Sequence, residues 1–449
     1  MGSDLDSFFN PKSIAVIGAS RNPKKFGHII FRNLLEKKVF PVNPNAGEVL
    51  GKKCYRSIKD VGGSVDLAVI VVPAKSVLQS VVECREKDVK AAVIITSGFA
   101  EAGNAEGEEA IKRARGDMRI IGPNVIGLYD AYSGVDTVFN LRHRQQRPRQ
   151  GNIAFVSQSG AFGSAALDSA SFEGIGISKF VSLGNMVDVN ETDMLNYLLD
   201  DEKTKTICMY VEGSKDYRML YEKLKVSTKP VIVVKAGKTS QTKKAVASHT
   251  ASMAGEAGIF SGMLRQCGAL ETDSEKLFGL AKAFSQPIPR NNRVHVITDG
   301  GGFGILAADA LIQGGLRLSK LSDKTANQVK AHVPLYASVS NPLDLTGDAD
   351  TARYKSVLPL VLNDDNVDAV LAILLMQISS LDSEIVDVIA SAKRFKKPIL
   401  VCMAGGEYTS LHRKMLEEKG VPTYSSPETA ADALSGLCRY QKMMRLRNC

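Results

Sequence analysis

Ser13-Ile14-Ala15-Val16-Ile17-Gly18-Ala19-Ser20 is the stretch that decides the fold. Four apolar residues run without a polar break and stop at a glycine. A strand buried on both faces has this pattern, because helices cover both sides of a parallel sheet. The pattern recurs twice. Gly151-Asn152-Ile153-Ala154-Phe155-Val156-Ser157 leads into Gln158-Ser159-Gly160, and Arg293-Val294-His295-Val296-Ile297-Thr298 leads into Asp299-Gly300-Gly301-Gly302. Each is followed by a helix-like segment. Further apolar runs lie at Leu67–Val72, Ala91–Ile95, Ile207–Val211, Val231–Lys235, Ala369–Leu375 and Ile399–Cys402. The sequence therefore predicts an α/β chain of three doubly wound units, over residues 1–130, 151–285 and 293–449. The boundaries fall in Tyr129–Gln150 and Ser285–Asn292.

Bulk properties agree with this division. At roughly 150 residues per domain, a chain of 449 residues suggests three domains. No apolar run reaches the ~18 residues of a membrane span. The first residues, Met1-Gly2-Ser3-Asp4-Leu5-Asp6-Ser7, lack the basic region and apolar segment of a signal peptide. Seven cysteines, at 54, 84, 208, 267, 402, 438 and 449, are odd in number and lack metal-ligand spacing. They read as reduced cytosolic thiols, which predicts a cytoplasmic protein. The net charge of +9 suits an anionic partner. Its densest run, Arg142-His143-Arg144-Gln145-Gln146-Arg147-Pro148-Arg149, has no interleaved aromatics and no nucleic-acid recognition module beside it. It reads as a solvated linker within reach of a partner.

The first unit begins as a Rossmann-like strand, turn and helix. Ligands of such folds bind at the carboxyl ends of the strands. The dinucleotide fingerprint is not met. Ser20 stands where the second glycine belongs, and the third glycine, Gly27, is displaced. Asn43 and Pro44 replace the acid that binds ribose hydroxyls. What remains is a helix N-terminus with free N–H groups for an anion. Lys24, Lys25, Lys37 and Lys38 supply charge nearby. Val72-Pro73, Thr96-Ser97-Gly98 with Glu101, and Gly122-Pro123-Asn124 end later strands. Ordinary turn chemistry accounts for the same residues equally well.

The ordered set of motifs carries a resemblance. Ala15–Ser20, Pro41–Pro44, Val71–Pro73, Ser97–Glu101 and Gly122–Asn124 resemble a CoA-binding domain. Ser157–Gly163, Ser182–Asn185, Tyr210–Gly213, Ala247–Gly255 and Ser340–Gly347 follow in order. Together they resemble the α subunit of NDP-forming acyl-CoA synthetases, of the archaeal ADP-forming acetyl-CoA synthetase type, relatives of succinyl-CoA synthetase. The likeness spans nearly the whole chain. It departs at Val125, where relatives often carry cysteine, and at Ala251, where they often carry glycine.

The resemblance implies a CoA-binding Rossmann-like domain and two flavodoxin-like domains, the second of them a ligase-CoA domain. It implies that coenzyme A, as substrate, meets Gly18, Ala19, Ser20, Lys25, Lys37, Asn43, Pro44, Val72, Pro73, Thr96, Ser97, Gly98, Glu101 and Asn124. It also implies a reaction. Phosphate cleaves an acyl-CoA to an acyl phosphate and CoA, a histidine takes the phosphoryl group, and a nucleoside diphosphate receives it. His249, one of six histidines, is the implied phosphoryl carrier, and Glu212 the carboxylate that orients it. Ser157, Gln158, Ser159 and Gly160 are the implied phosphate site, at a helix N-terminus. Asp188, Glu191 and Asp193 read as caps and first-turn acids of the next helix. Asp299–Gly302 reads as another anion-friendly turn without a Walker lysine. Nothing resembles an ATP-grasp module. The implied partner is an ATP-grasp β subunit in an α2β2 assembly, with Mg²⁺ accompanying ADP or ATP there. No metal site is expected on this chain, and neither nucleic acid nor membrane is an expected partner. A CoA-binding regulatory protein without turnover is the alternative.

Overall fold

The computed structural model describes residues 4–239, 241–242 and 257–447. The chain divides into two compact units, one of residues 1–172 with 176–271 and one of residues 173–175 with 272–449.

The first sheet of the first unit contains β1 (Ile14–Ile17), β2 (Val39–Val42), β3 (Leu67–Ile70), β4 (Ala91–Ile94) and β5 (Arg119–Ile121). All are parallel, in the order β2-β1-β3-β4-β5. Helices α1 (Phe26–Asn33), α2 (Ala74–Glu86) and α3 (Ala105–Ala114) connect them. Side chains alternate between the two faces of the sheet, as the period of a strand demands. Ile14, Val16, Leu67, Val69, Ala91 and Val93 join one core, and Ala15, Ile17, Ala68, Ile70, Ala92 and Ile94 join another. Both faces are buried, which is why the sequence shows unbroken apolar runs.

The second sheet contains β6 (Leu128–Asp130), β7 (Gln150–Ser157), β8 (Ile177–Ser182), β9 (Thr206–Val211), β10 (Val231–Lys235) and β11 (Leu270–Glu271). Its order is β11-β10-β9-β7-β8-β6, with only β6 antiparallel. Helices α4 (Gly160–Phe172), α5 (Glu191–Asp200), α6 (Tyr217–Lys225) and α7 (Ala257–Cys267) cover it. Residues 128–130, grouped with the first domain from the sequence, are thus hydrogen-bonded into the second sheet. The two sheets also share a core, since Ala154, Val156, Ile207, Met209, Val231 and Val233 belong to the same cluster as Ile14 and Val16.

Within the basic run Arg142–Arg149, Arg142, His143, Arg144, Gln146 and Arg149 are exposed as expected, but Arg147 departs from the solvated reading. The Arg147 side chain is buried, with Nε on both Asp136 oxygens at 3.2 and 3.0 Å. Its Nη2 donates to the Val138 and Asn140 carbonyls, and its Nη1 to the Gln145 carbonyl. Arg142 donates to the same fully buried Asp136. The run is a strap tied to an acid that the composition of the run does not reveal.

The second unit holds β12 (Arg293–Thr298), β13 (Arg317–Leu318), β14 (Leu343–Asp344), β15 (Ala369–Ile373), β16 (Ile399–Cys402) and β17 (Thr423–Tyr424). These are parallel in the order β13-β12-β15-β16-β17, with β14 also pairing β12. Its helices include α8 (Gly301–Gln313), α9 (Thr351–Asn363) and α10 (Pro427–Arg447). Among the described residues no helix is long and apolar enough to cross a membrane.

Candidate functional site

In the first sheet, Gly18-Ala19-Ser20, Asn43-Pro44, Val72-Pro73, Thr96-Ser97-Gly98 and Asn124 each follow a strand of one parallel sheet. They therefore share its carboxyl edge. Strand order reverses between β1 and β3, which opens the crevice where ligands of such sheets bind. Two glycines make the turn there. Gly18 has φ +97°, and a Cβ on it would lie 2.3 Å from the Val71 carbonyl oxygen. A Cβ on Gly27 would lie 2.1 Å from the Gly18 oxygen, so α1 packs directly against the turn. Asn43 donates from Nδ2 to the Ala19 carbonyl at 2.7 Å and accepts from the Asn45 amide at 2.9 Å. Asparagine thus pins the turn where a dinucleotide site would hold an acid. Thr96 donates to the Val72 carbonyl at 2.6 Å, joining two loops of the edge. Lys25 immediately precedes α1 at this edge and is exposed.

Two expected ligand residues have partners within the protein. Lys37 lies between α1 and β2, at the amino edge of the sheet, and its ammonium bonds the Ser133 carbonyl. Proximity in sequence to a glycine turn did not bring it there, because a helix intervenes. Glu101 is at the right edge, but its oxygens serve the protein. Oε1 accepts from the Gly98 amide at 2.6 Å and the Phe99 amide at 3.3 Å, and Oε2 from Asn185. Burial alone would raise the Glu101 carboxyl, but these bonds outweigh it and hold it below its ordinary value. Asn185, which the sequence places in a motif without assigning it a role, also donates to Glu108 at 3.0 Å and accepts from Asn124 at 3.3 Å. Val125 is buried in the core, so its departure from the motif is a packing matter.

The second sheet brings its candidates to one edge. β7 and β9 are adjacent, with Ser157 opposite Tyr210. The turn Gln158-Ser159 and the residue Glu212 therefore stand side by side. The Gly160 and Ala161 amides open α4 with no acceptor inside the helix. Ser159 Oγ caps it, accepting from the Phe162 amide at 3.3 Å. Ser157 is buried, and its hydroxyl donates to the Ser159 carbonyl at 2.7 Å.

The groups of Gln158, a third expected ligand residue, are likewise bonded within the protein. Its amide donates to the Tyr210 carbonyl at 3.2 Å. Side-chain Oε1 accepts from the Glu212 and Gly213 amides at 2.7 and 3.1 Å. Nε2 donates to the Gly213 carbonyl at 2.8 Å and to Glu191 Oε2 at 3.3 Å. Glu191 is correspondingly more than a first-turn acid. It is buried, and burial raises its carboxyl above the ordinary value. Asp193 does belong to a capping box with Asn190, whereas Asp188 accepts from Arg119 Nε at 2.9 Å and the Ile120 amide at 2.8 Å. Burial, then the Glu212 carboxylate, pushes the Tyr210 phenol up to about 12. Lys235, also buried, ends β10 and donates Nζ to the Glu212 carbonyl at 2.7 Å. The chain leaves the same edge after Lys235 and re-enters the described residues at α7. His249 lies outside the described residues.

In the second unit the turn Asp299–Gly302 opens α8, but it is not vacant for an anion. A Cβ on Gly301 would lie 2.7 Å from Asp344 Oδ2, so a carboxylate already stands over this helix end. Both Asp299 oxygens accept from the Leu375 amide, at 3.1 and 3.0 Å, and burial pushes its carboxyl up to about 6.

Three family models match the chain in succession. They are a CoA binding domain over residues 12–130, a succinyl-CoA ligase like flavodoxin domain over 150–284 and a ligase-CoA domain over 294–445. Together they define the class, a CoA ligase built of one CoA-binding and two flavodoxin-like parts. The α subunit of acetate–CoA ligase [ADP-forming] II of Pyrococcus furiosus is 40% identical, over 98% of each chain. The acetate–CoA ligase [ADP-forming] of Methanocaldococcus jannaschii is 42% identical over 96% of this chain, which spans 63% of that one. Among solved structures, the Ca. Korarchaeum cryptofilum dinucleotide forming acetyl-coenzyme A synthetase 1, in complex with phosphate and ADP, superposes with a TM-score of 0.91. It is 37% identical and covers 98% of this chain and 97% of its own. The chain belongs to the family of ADP-forming acetate–CoA ligase α subunits.

Proposed function

We propose that this chain interconverts acyl-CoA, ADP and phosphate with acid, CoA and ATP, acting with a second subunit. CoA is held at the carboxyl edge of the first sheet by Gly18, Ala19, Ser20, Lys25, Asn43, Pro44, Val72, Pro73, Thr96, Ser97, Gly98 and Asn124. A phosphate oxygen attacks the thioester carbonyl, and CoA leaves as the thiolate. A ring nitrogen of His249 then attacks phosphorus. The bond from phosphorus to the acyl oxygen breaks, and the carboxylate leaves with the electron pair. Ser159 and the first amides of α4, including that of Gly160, receive the phosphoryl charge, while Ser157 supports the turn beneath them by donating to the Ser159 carbonyl. Glu212 accepts from the other ring nitrogen of His249, fixing the tautomer and stabilising the cationic ring.

The observation that carries this reading is the pairing of β9 with β7. It sets Glu212 beside the first amides of α4, at the edge from which the chain continues toward residue 249. The nucleotide is assigned to an ATP-grasp β subunit in an α2β2 assembly in the cytoplasm, with Mg²⁺ on that partner.

The test is to incubate the full chain with acetyl phosphate labelled at phosphorus and look for acid-labile label. The parent chain should carry it and His249→Ala should not. Equal label in both removes His249 from the reaction. Retained CoA binding with no label in either leaves the non-catalytic, CoA-binding alternative.

A further inference from the structure

Glu212 is held by both ends of its own backbone. Its amide donates to Gln158 Oε1 at 2.7 Å, from the turn after β7. Its carbonyl accepts from Lys235 Nζ at 2.7 Å, from the end of β10. These are the strands on either side of β9. At Glu212 the β9 ladder has just ended, and the two side chains take over where strand partners would bond. The next residue is caught as well, since Gln158 bonds both the amide and the carbonyl of Gly213. Gln158 is itself anchored by Glu191 at the start of α5.

Buried polar groups in such number are costly unless each is satisfied, and a satisfied network fixes one geometry. A backbone held at both N–H and C=O leaves the side chain only its own torsions. We propose that Gln158 and Lys235 are positioning residues, which aim the Glu212 carboxylate at the histidine ring by clamping its peptide groups. The proposal rests on the reading of Glu212 as the orienter of His249. It gives Gln158 a role in the same step, but through Glu212 and without contact to phosphate.

The test uses the full chain and two readouts, the rate of labelling by acetyl phosphate and the affinity for CoA by calorimetry. Displacing a catalytic group by about 1 Å can cost on the order of a hundredfold. Gln158→Leu is therefore expected to slow labelling about thirtyfold or more, while CoA affinity stays within about twofold. Lys235→Met should behave alike, with Lys235→Arg, which retains the cationic donor, recovering part of the rate. Gln158→Asn, polar but too short to reach the Glu212 amide, replaces Gln158→Leu if the latter fails to fold.

The deciding comparison is the double variant. If Gln158 acts through Glu212, adding Gln158→Leu to Glu212→Gln should slow labelling little further. A merely structural loss would multiply with it. Parent-like labelling by both Gln158 variants, or multiplying costs in the double variant, overturns the proposal while the histidine reading stands. No label on the parent chain overturns both.

Discussion

Replacing Gly27 by alanine tests whether the turn after β1 holds CoA. The added Cβ would lie 2.1 Å from the Gly18 carbonyl oxygen. A carbon–oxygen contact in proteins settles at about 3.3 Å, so α1 and the turn must separate by about 1.2 Å. Overpacking of this kind costs about 1–3 kcal/mol. The strain is relieved if the turn shifts, and binding CoA in the parent geometry must restore it. At about 1.4 kcal/mol per factor of ten, CoA should weaken about fivefold to a hundredfold. Calorimetry of CoA with the full-length Gly27→Ala chain measures this, and a thermal unfolding curve reports the strain itself. A lowered unfolding midpoint with unchanged CoA affinity would refute the placement of CoA at this turn. An unchanged midpoint would refute the packing argument.

Other outcomes follow from the corrections made by the fold. Lys37→Ala should leave CoA affinity unchanged, since Lys37 lies at the far edge. Lys25→Ala should weaken it about twofold to tenfold at low salt, and less at high salt. Asp136→Ala should destabilise the first unit by about 3–5 kcal/mol, because it strands the buried Arg147 cation without its acid. A loss below about 1 kcal/mol in denaturant titration would contradict the strap. His295 is buried against Ser319 Oγ at 2.9 Å, and burial depresses it from 6.5 to about 4. Between those values the unfolded chain binds the proton and the folded chain does not, so stability falls as pH drops from 6.5 toward 4. The gap corresponds to about 3 kcal/mol. Asp299, raised to about 6, acts with the opposite sign in that window. The measurement is therefore the difference between His295→Gln and the parent, and identical acid limbs would count against it.

The strands were legible because their cause is local. Ile14–Ile17 and Ala91–Ile94 are buried on both faces, and their residues are all apolar, so nothing polar interrupts either run. The glycine turns were legible for a similar reason, since Gly18 answers a steric demand met within a few ångströms. The candidate site was legible as an ordered set of motifs, and parallel topology turns such order into a common edge. Which residue at that edge meets ligand was not legible. Glu101 and Gln158 have the right types and positions, yet Asn185, 84 residues on, takes one, and Glu212 and Gly213, 54 and 55 residues on, take the other. Lys37 reads as near the turn and stands at the wrong edge, because one helix reverses the direction of travel. Arg147 reads as solvated charge until Asp136 is folded beneath it. The sequence by itself determined the run of strands and turns and the family of the chain, since these rest on local sterics, burial and the order of motifs. Tertiary structure alone decided which polar side chains stay available for chemistry, because hydrogen-bond partners are chosen in space, after strands distant in sequence have paired.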